Sequence, residues 1–525
     1  VSASAVPGRP AVIRLDPADN VLVATGVLAP GTVVDVPGGG TQLVVREPIP
    51  AGHKLAAIDL PVGAPVLKYG EPIGVTRREV GAGSHVHTDA VRFVAGEELA
   101  GLRLPGGQRR GGPPGASPRR VDGASLGFLG YHRPDGRVGT RNEILVMVSV
   151  NCAATVARRI AARFATPEAM AALPGVDGVV ALTHGTGCGL DATGEGLAIL
   201  RRTLVGYARH PNVIGVCLVG LGCEVNQVDL LLGEEDLDGV PLRAVGIQEA
   251  GGTQAAIAAG VAAIEELAES ASAAGRTWAP AAELVLGLNC GGSDAWSGVS
   301  ANPALGSAVD RLVAAGGTAV LAETPEIYGA EHLLLARAAS PEVAGALTER
   351  LAWWEGYLAQ SGGSMDHNPS PGNKAGGITT VVEKSLGAVA KGGSSPLQAV
   401  YRYAEPVRAK GLVFMDTPGF DPVSVTGIVA GGAQVICFTT GRGSVFGCKP
   451  APSLKLATTR AIYERMPDDM DIDCGAILEG ECTVEEMGEE ILSAVLDVAS
   501  GRPTKSELHG MGDEEFVPWQ LGAVM

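Results

Sequence analysis

The chain has 525 residues, too many for one hydrophobic core, so roughly two to four domains are expected. Apolar residues at 46% support globular folding, and a net charge of −17 leaves no basic surface for nucleic acid. An anionic small molecule would have to be held locally, by a metal, by arginine or lysine, or by helix N-termini.

No apolar run approaches a membrane span, and the N-terminus lacks the basic-then-apolar pattern of a signal peptide. Nine cysteines is an odd number, set mostly in Gly turns and apolar strands. Reduced thiols in a cytoplasmic protein are therefore expected, with neither membrane nor nucleic acid as a partner. A homo-oligomer stays open.

Residues 11–98 carry short β-branched runs divided by Pro, Gly and Asp turns, which predicts a small β-rich domain. It closes on Gly83-Ser84-His85-Val86-His87-Thr88-Asp89. His85 and His87 alternate along an extended segment, so their rings share a face, with Asp89 two residues further on. Metal or substrate binding is one reading; solvated or structural histidines are the other. Residues 99–126, rich in Gly, Pro and Arg, read as a flexible linker.

From residue 127 apolar strands alternate with helices of ten to twenty residues, the pattern of a parallel α/β body. Two subdomains are expected, 127–360 and 361–525. Strand ends carry the polar chemistry: Asn151-Cys152, His184-Gly-Thr-Gly-Cys188, Leu221-Gly-Cys223-Glu224, and Cys290-Gly-Gly-Ser293-Asp294. In a parallel sheet such ends line one edge, where distant residues converge. Thiolates at Cys152, Cys188, Cys223 and Cys290 would select iron or zinc, and three cysteines with an open iron would suit a dehydratase. Small thiols filling Gly turns, or a nucleophilic cysteine, remain alternatives. Glu224, Asp294 and Glu323 could bind a cation or orient a base, or serve as turn acceptors. His184 is a candidate general base. Asn368, Asn373, Lys374 and Arg442 suit a polyhydroxy acid, Lys374 doubling as a base, and Gly441-Arg442-Gly443-Ser444 reads as an anion cradle.

Taken together, Gly83-Ser-His-Val-His-Thr, Gly130-Tyr131, Val138-Gly-Thr-Arg-Asn142, Gly220-Leu-Gly-Cys-Glu224, Cys290-Gly-Gly-Ser-Asp294 with Ser297 to Pro303, Asn368-Pro-Ser-Pro-Gly-Asn-Lys374 and Thr439-Thr-Gly-Arg-Gly443 resemble the altronate/galactarate dehydratase family over nearly the whole chain. The resemblance implies a SAF-type β-clip domain at 11–98 and a dehydratase body. It also implies a divalent metal (Fe2+ first, Mn2+ next, an iron–sulfur cluster still open) and a sugar-acid substrate. Two departures stand out. Asp89-Ala90 replaces a third histidine and asparagine, so a three-histidine site is not expected, and Ser444-Val-Phe-Gly-Cys448 replaces a Thr-Pro-Tyr-Gly pattern.

The implied reaction removes the C2 proton of an aldonate or aldarate and expels the C3 hydroxyl, giving a 2-keto-3-deoxy acid. His184 or Lys374 would be the base and His85 or His87 the acid. Asn302, Asn368, Asn373, Arg442, Ser293 and Asp294 would bind substrate. Cys152, Cys188, Cys223, Cys290, Glu224, His85, His87 and Asp89 would be candidate metal ligands. A sulfo-lyase acting on a sulfonated 2-hydroxy acid, or a non-catalytic sugar-acid binding protein, are the other readings. The histidines would reach the body only if the small domain closes on it.

Overall fold

The computed structural model describes the chain apart from residues 1–9, 39, 104–125, 234–236, 238, 270–274, 523 and 525, so most of the expected linker lies outside the described residues. The small domain is β-rich, as expected. One antiparallel sheet orders the strands Val12–Ile13, Val21–Ala24, Lys54–Ala56 and His85–Val86; a second joins Pro65–Lys68, Glu71–Thr76 and Val91–Arg92. Its strands are short because Gly, Pro and Asp interrupt every run of β-branched residues.

The body holds two parallel sheets. The first has four strands in the order Gly178–Leu182, Glu143–Val148, Val213–Gly220, Leu242–Gly246. The second has seven, ordered Leu397–Tyr401, Gly411–Met415, Thr318–Leu321, Val285–Cys290, Val435–Thr440, Ser453–Ala457, Ile472–Asp473. Central strands such as Gly411–Met415 and Val435–Thr440 are buried at every residue, which is why they read as unbroken apolar runs.

The seven-stranded sheet draws strands from both sides of residue 360, so the expected division at 360 is wrong. Sequence periodicity marks strands but not which sheet they enter; the seven-stranded sheet takes the strands from Val285–Cys290 onward. A second correction follows. Cys152, Cys188 and Cys223 lie on the four-stranded sheet and Cys290 on the seven-stranded one, so the four cysteines do not share an edge.

The small domain is docked. Its apolar residues Val66, Ile73 and Val75 belong to the same core as Leu286, Leu305 and Val381 of the body. The helix Val381–Val389, buried at every residue, lies at this junction, and Thr380 donates its hydroxyl to the Ile73 carbonyl at 2.6 Å. No helix among the described residues is long and apolar enough to cross a membrane.

Candidate metal centre and the sheet edge beside it

The antiparallel register pairs Lys54 with Val86 and Leu55 with His85, so His53 falls opposite His87. Three imidazoles gather there, with ring centroids 4.9–5.4 Å apart and one ligand nitrogen from each within 4.8 Å of the others. His85 and His87 are stacked, 14° from parallel, as their alternation predicted. A three-histidine site does form, contrary to expectation, because His53 supplies the third ring from a strand thirty residues earlier. His53 Nδ1 lies 2.9 Å from His85 Nε2, and His53 Nε2 lies 3.3 Å from the Ala375 carbonyl of the body.

The chemistry of the donor set fits a divalent metal. Burial, with help from the neighbouring Lys54 charge, pushes His53 and His87 down to about 4, so both rings are neutral near neutral pH, and a coordinate bond would replace the His53–His85 contact. His87 Nδ1 is buried with no hydrogen-bond partner, a cost that a coordinate bond would remove. Asp89 is not part of the group. The strand ends at Val86, Ala90 N–H returns to the His87 carbonyl, and the carboxylate pairs with Arg78 at 2.6 Å in solvent.

The loop facing the histidines belongs to the body. Lys54 Nζ donates to the Gly377 carbonyl at 2.6 Å and, at 2.9 Å, to Glu383, which also takes Lys68 Nζ at 2.7 Å. Desolvation lowers Lys54 to about 8, while the two ammonium groups hold Glu383 well below the usual carboxylate range against its own desolvation. A small, partly open cavity nearby is lined by Lys68, Glu383, Lys384 and Ser293, and the buried Ser293 hydroxyl has no partner.

At the C-terminal edge of the seven-stranded sheet, Cys290, Glu323 and Glu326 also converge. Here two lysines already neutralise the group. Lys391 Nζ lies 2.7 Å from Cys290 Sγ and Lys384 Nζ 2.6 Å from Glu326. Desolvation and the Glu326 charge raise Glu323 to about 8, and its backbone is left-handed at φ 69°. A cation would have to displace both ammonium groups, so the histidines are the better metal site.

Other predicted residues take structural roles. His184 is buried, with one ring nitrogen donating to the Val148 carbonyl and the other accepting Thr186 N–H, so it has no free lone pair to act as a base. Glu224 accepts from Ser149, Leu221 and Gly222 as a turn anchor, not a metal ligand. The Asp294 carboxylate caps its own turn through Trp296, Ser297 and Thr458. Asn302 is spent on Gly387 and Thr439, and Asn373 on its helix cap and the Ser293 carbonyl. The amides of Gly441 and Arg442 donate to the Gly292 carbonyl and that of Gly443 to Thr440, so the anticipated anion cradle is filled by the protein, and Arg442 is exposed.

Lys374 and Asn368 remain available in part. Lys374 is half-buried, one residue before the carbonyl that meets His53, and Asn368 accepts from Lys384 at 2.6 Å. Sequence reasoning missed His53, Glu326 and Lys391. Only His53 carried a signal, as a Gly-His-Lys turn between apolar runs. A half-open groove of about 690 Å³ beside Trp353, Tyr357 and Leu521 holds none of these groups.

Comparison with known proteins matches family domains along the chain. The altronate/galactarate dehydratase SAF domain matches residues 10–93. The D-galactarate dehydratase/altronate hydrolase second domain matches 130–272, and the D-galactarate/altronate dehydratase C-terminal domain matches 281–524. The chain is 34% identical to an altronate dehydratase of Bacillus subtilis (strain 168), over 94% of its own length and 96% of the relative's. It is 37% identical to the galactarate dehydratase (L-threo-forming) of Escherichia coli (strain K12), over 88% of each. The (2R)-sulfolactate sulfo-lyase of Chromohalobacter salexigens is similar through two subunits. Its beta subunit is 32% identical over 75% of this chain and 97% of its own, and its alpha subunit 38% over 15% and 85%. With three family domains matched in order on a chain that carries a candidate metal site, this protein belongs to the altronate/galactarate dehydratase family of lyases.

Proposed function

We propose that the chain dehydrates a sugar acid, an altronate-like aldonate first and an aldarate second, to a 2-keto-3-deoxy acid. The observation that carries the reading is the set of three neutral imidazoles where the small domain meets the body. His53, His85 and His87 would hold Fe2+, or Mn2+ in its place. When bound, the metal supplies Lewis acidity toward the substrate carboxylate and hydroxyl.

The remaining work falls to this chain's side chains. Lys374 Nζ takes the C2 proton, a role supported by its half-buried place beside Ala375. Ser293 and Asn368 hold substrate hydroxyls; the unpartnered Ser293 Oγ supports the first of these. Docking of the small domain excludes water from the junction.

A second reading, loss of sulfite from a sulfonated 2-hydroxy acid, draws on the sulfo-lyase relative. It needs a cation for the sulfonate, and Lys384 and Lys391 are already paired with Glu326 and Glu323. An aldonate and aldarate panel with a keto-acid assay tests the proposal. Keto acid from a sugar acid supports it, and sulfite release with no sugar-acid turnover overturns it.

A further inference from the structure

Three of the nine cysteines are exposed, and all three follow neighbouring strands of the four-stranded sheet. Cys152 follows Glu143–Val148, the strand between the other two; Cys188 follows Gly178–Leu182 and Cys223 follows Val213–Gly220. Free cysteine is among the most buried residue types, so three exposed thiols on one edge call for a chemical reason.

The turns are built together. Asn151 N–H donates to the Thr186 carbonyl at 2.9 Å, and Asn226 N–H donates to the Gly187 carbonyl at 3.0 Å. The Asn151 amide reaches the His184 carbonyl and the Asn226 amide the Ser149 carbonyl, both at 3.0 Å. Gly187, at φ +106°, comes so near the cysteine-bearing turn of the next strand that a Cβ would stand 2.3 Å from the Ser149 carbonyl oxygen. The His184 and Glu224 hydrogen bonds described above fix the same two turns. Gln248 points its amide at Cys223 Sγ from 3.6 Å.

We propose that Cys152, Cys188 and Cys223 hold a cubane iron–sulfur cluster, leaving one iron open to an oxygen ligand. The three sulfurs do not all lie within 4.8 Å of one another, a wider spacing than one ion's shell. A cubane is larger, and bridges thiolates that a single zinc would not reach. Glycines before Cys188 and Cys223 leave room at the thiols, and soft ligands select iron over magnesium or calcium. The site shares no residue with the histidine centre and goes beyond the dehydration reading.

The full chain, purified and reconstituted without oxygen, is assayed for iron, acid-labile sulfide, visible absorption and the electron paramagnetic signal after dithionite reduction. About four irons and four sulfides per chain are expected beyond the ion at the histidines. Cys152→Ser, Cys188→Ser and Cys223→Ser should each lose most of the sulfide and the visible band, whereas Cys482→Ser and His85→Ala keep them. Thiol alkylation read by mass spectrometry needs no variant: the three cysteines should be protected in the loaded chain and react once the cluster is stripped. Absence of sulfide after reconstitution, sulfide retained in all three variants, or a lone metal ion bound without sulfide would overturn the proposal. Loss of sugar-acid turnover in His85→Ala with the cluster intact would separate this site from the histidine centre.

Discussion

His53 and Lys54 are adjacent yet do different work. Lys54 is fully buried and ties the small domain to Glu383, while His53 turns its ring toward His85 and His87. Removing a group that merely supports a ligand usually lowers metal affinity by about 10–100-fold. His53→Ala should therefore weaken iron binding by more than about 100-fold in a competition titration, while Asp89→Asn leaves it unchanged. Equal losses in both variants would return Asp89 to the ligand set. His184 makes a different prediction. Burial pushes it down to about 4 and His210 to about 3, so both are neutral in the fold and can protonate once unfolded. The unfolded chain then binds more protons below about pH 6.5, and stability falls as pH drops from there toward 4. His184→Asn should flatten this slope in a pH series of thermal melts while the neutral-pH keto-acid rate persists; a rate falling with the slope unchanged would restore His184 as a base.

Two elements set the junction. The helix Val381–Val389 presents Glu383 to Lys54 and Lys68, all three groups buried. Glu383→Gln would leave two ammonium groups without a counter-charge, a change that costs about 3–5 kcal/mol in comparable buried pairs. The expected outcome is a large drop in melting temperature and early proteolysis between the domains. A wild-type melting curve would contradict it. The turn after Val435–Thr440 is as tight: a Cβ at Gly441 would stand 2.1–2.5 Å from the Asp294 carboxylate. Gly441→Ala should therefore destabilise the chain by at least about 1 kcal/mol in denaturant melts, through overpacking. These elements also show why the sequence was readable only in part. The strand ending at Cys290 and the helix Val484–Ala499 were legible because periodicity and Gly turns are local signals. The Glu383 clamp was not, because its partners lie more than three hundred residues earlier. Motif residues such as Asn302, Asn373 and Asp294 were found, but their partners, and so their structural roles, belong to the folded chain.

At the scale of the molecule, the small domain brings the three imidazoles of the candidate metal site up to the body. In the docked arrangement His53 meets Ala375 and the apolar cores merge, the geometry the histidines would need to act on a substrate held by the body. The sulfo-lyase relative has two subunits, one of which matches 81 residues of this chain, about the length of the small domain. Two separately produced pieces, residues 1–103 and 126–525, should thus regain keto-acid formation on mixing, and neither should turn over alone. Activity of the larger piece by itself would remove the small domain from the reaction. The domain count was within reach of length alone, but the boundary was not, since strands from both sides of residue 360 enter one sheet. The most direct test of the central claim is keto-acid formation by the full, iron-loaded chain, with bound iron measured on the same samples for wild type and for His53→Ala, His85→Ala and His87→Ala. The account predicts that each substitution removes about one iron and lowers the rate by roughly 100-fold or more. Wild-type turnover in all three variants would contradict it.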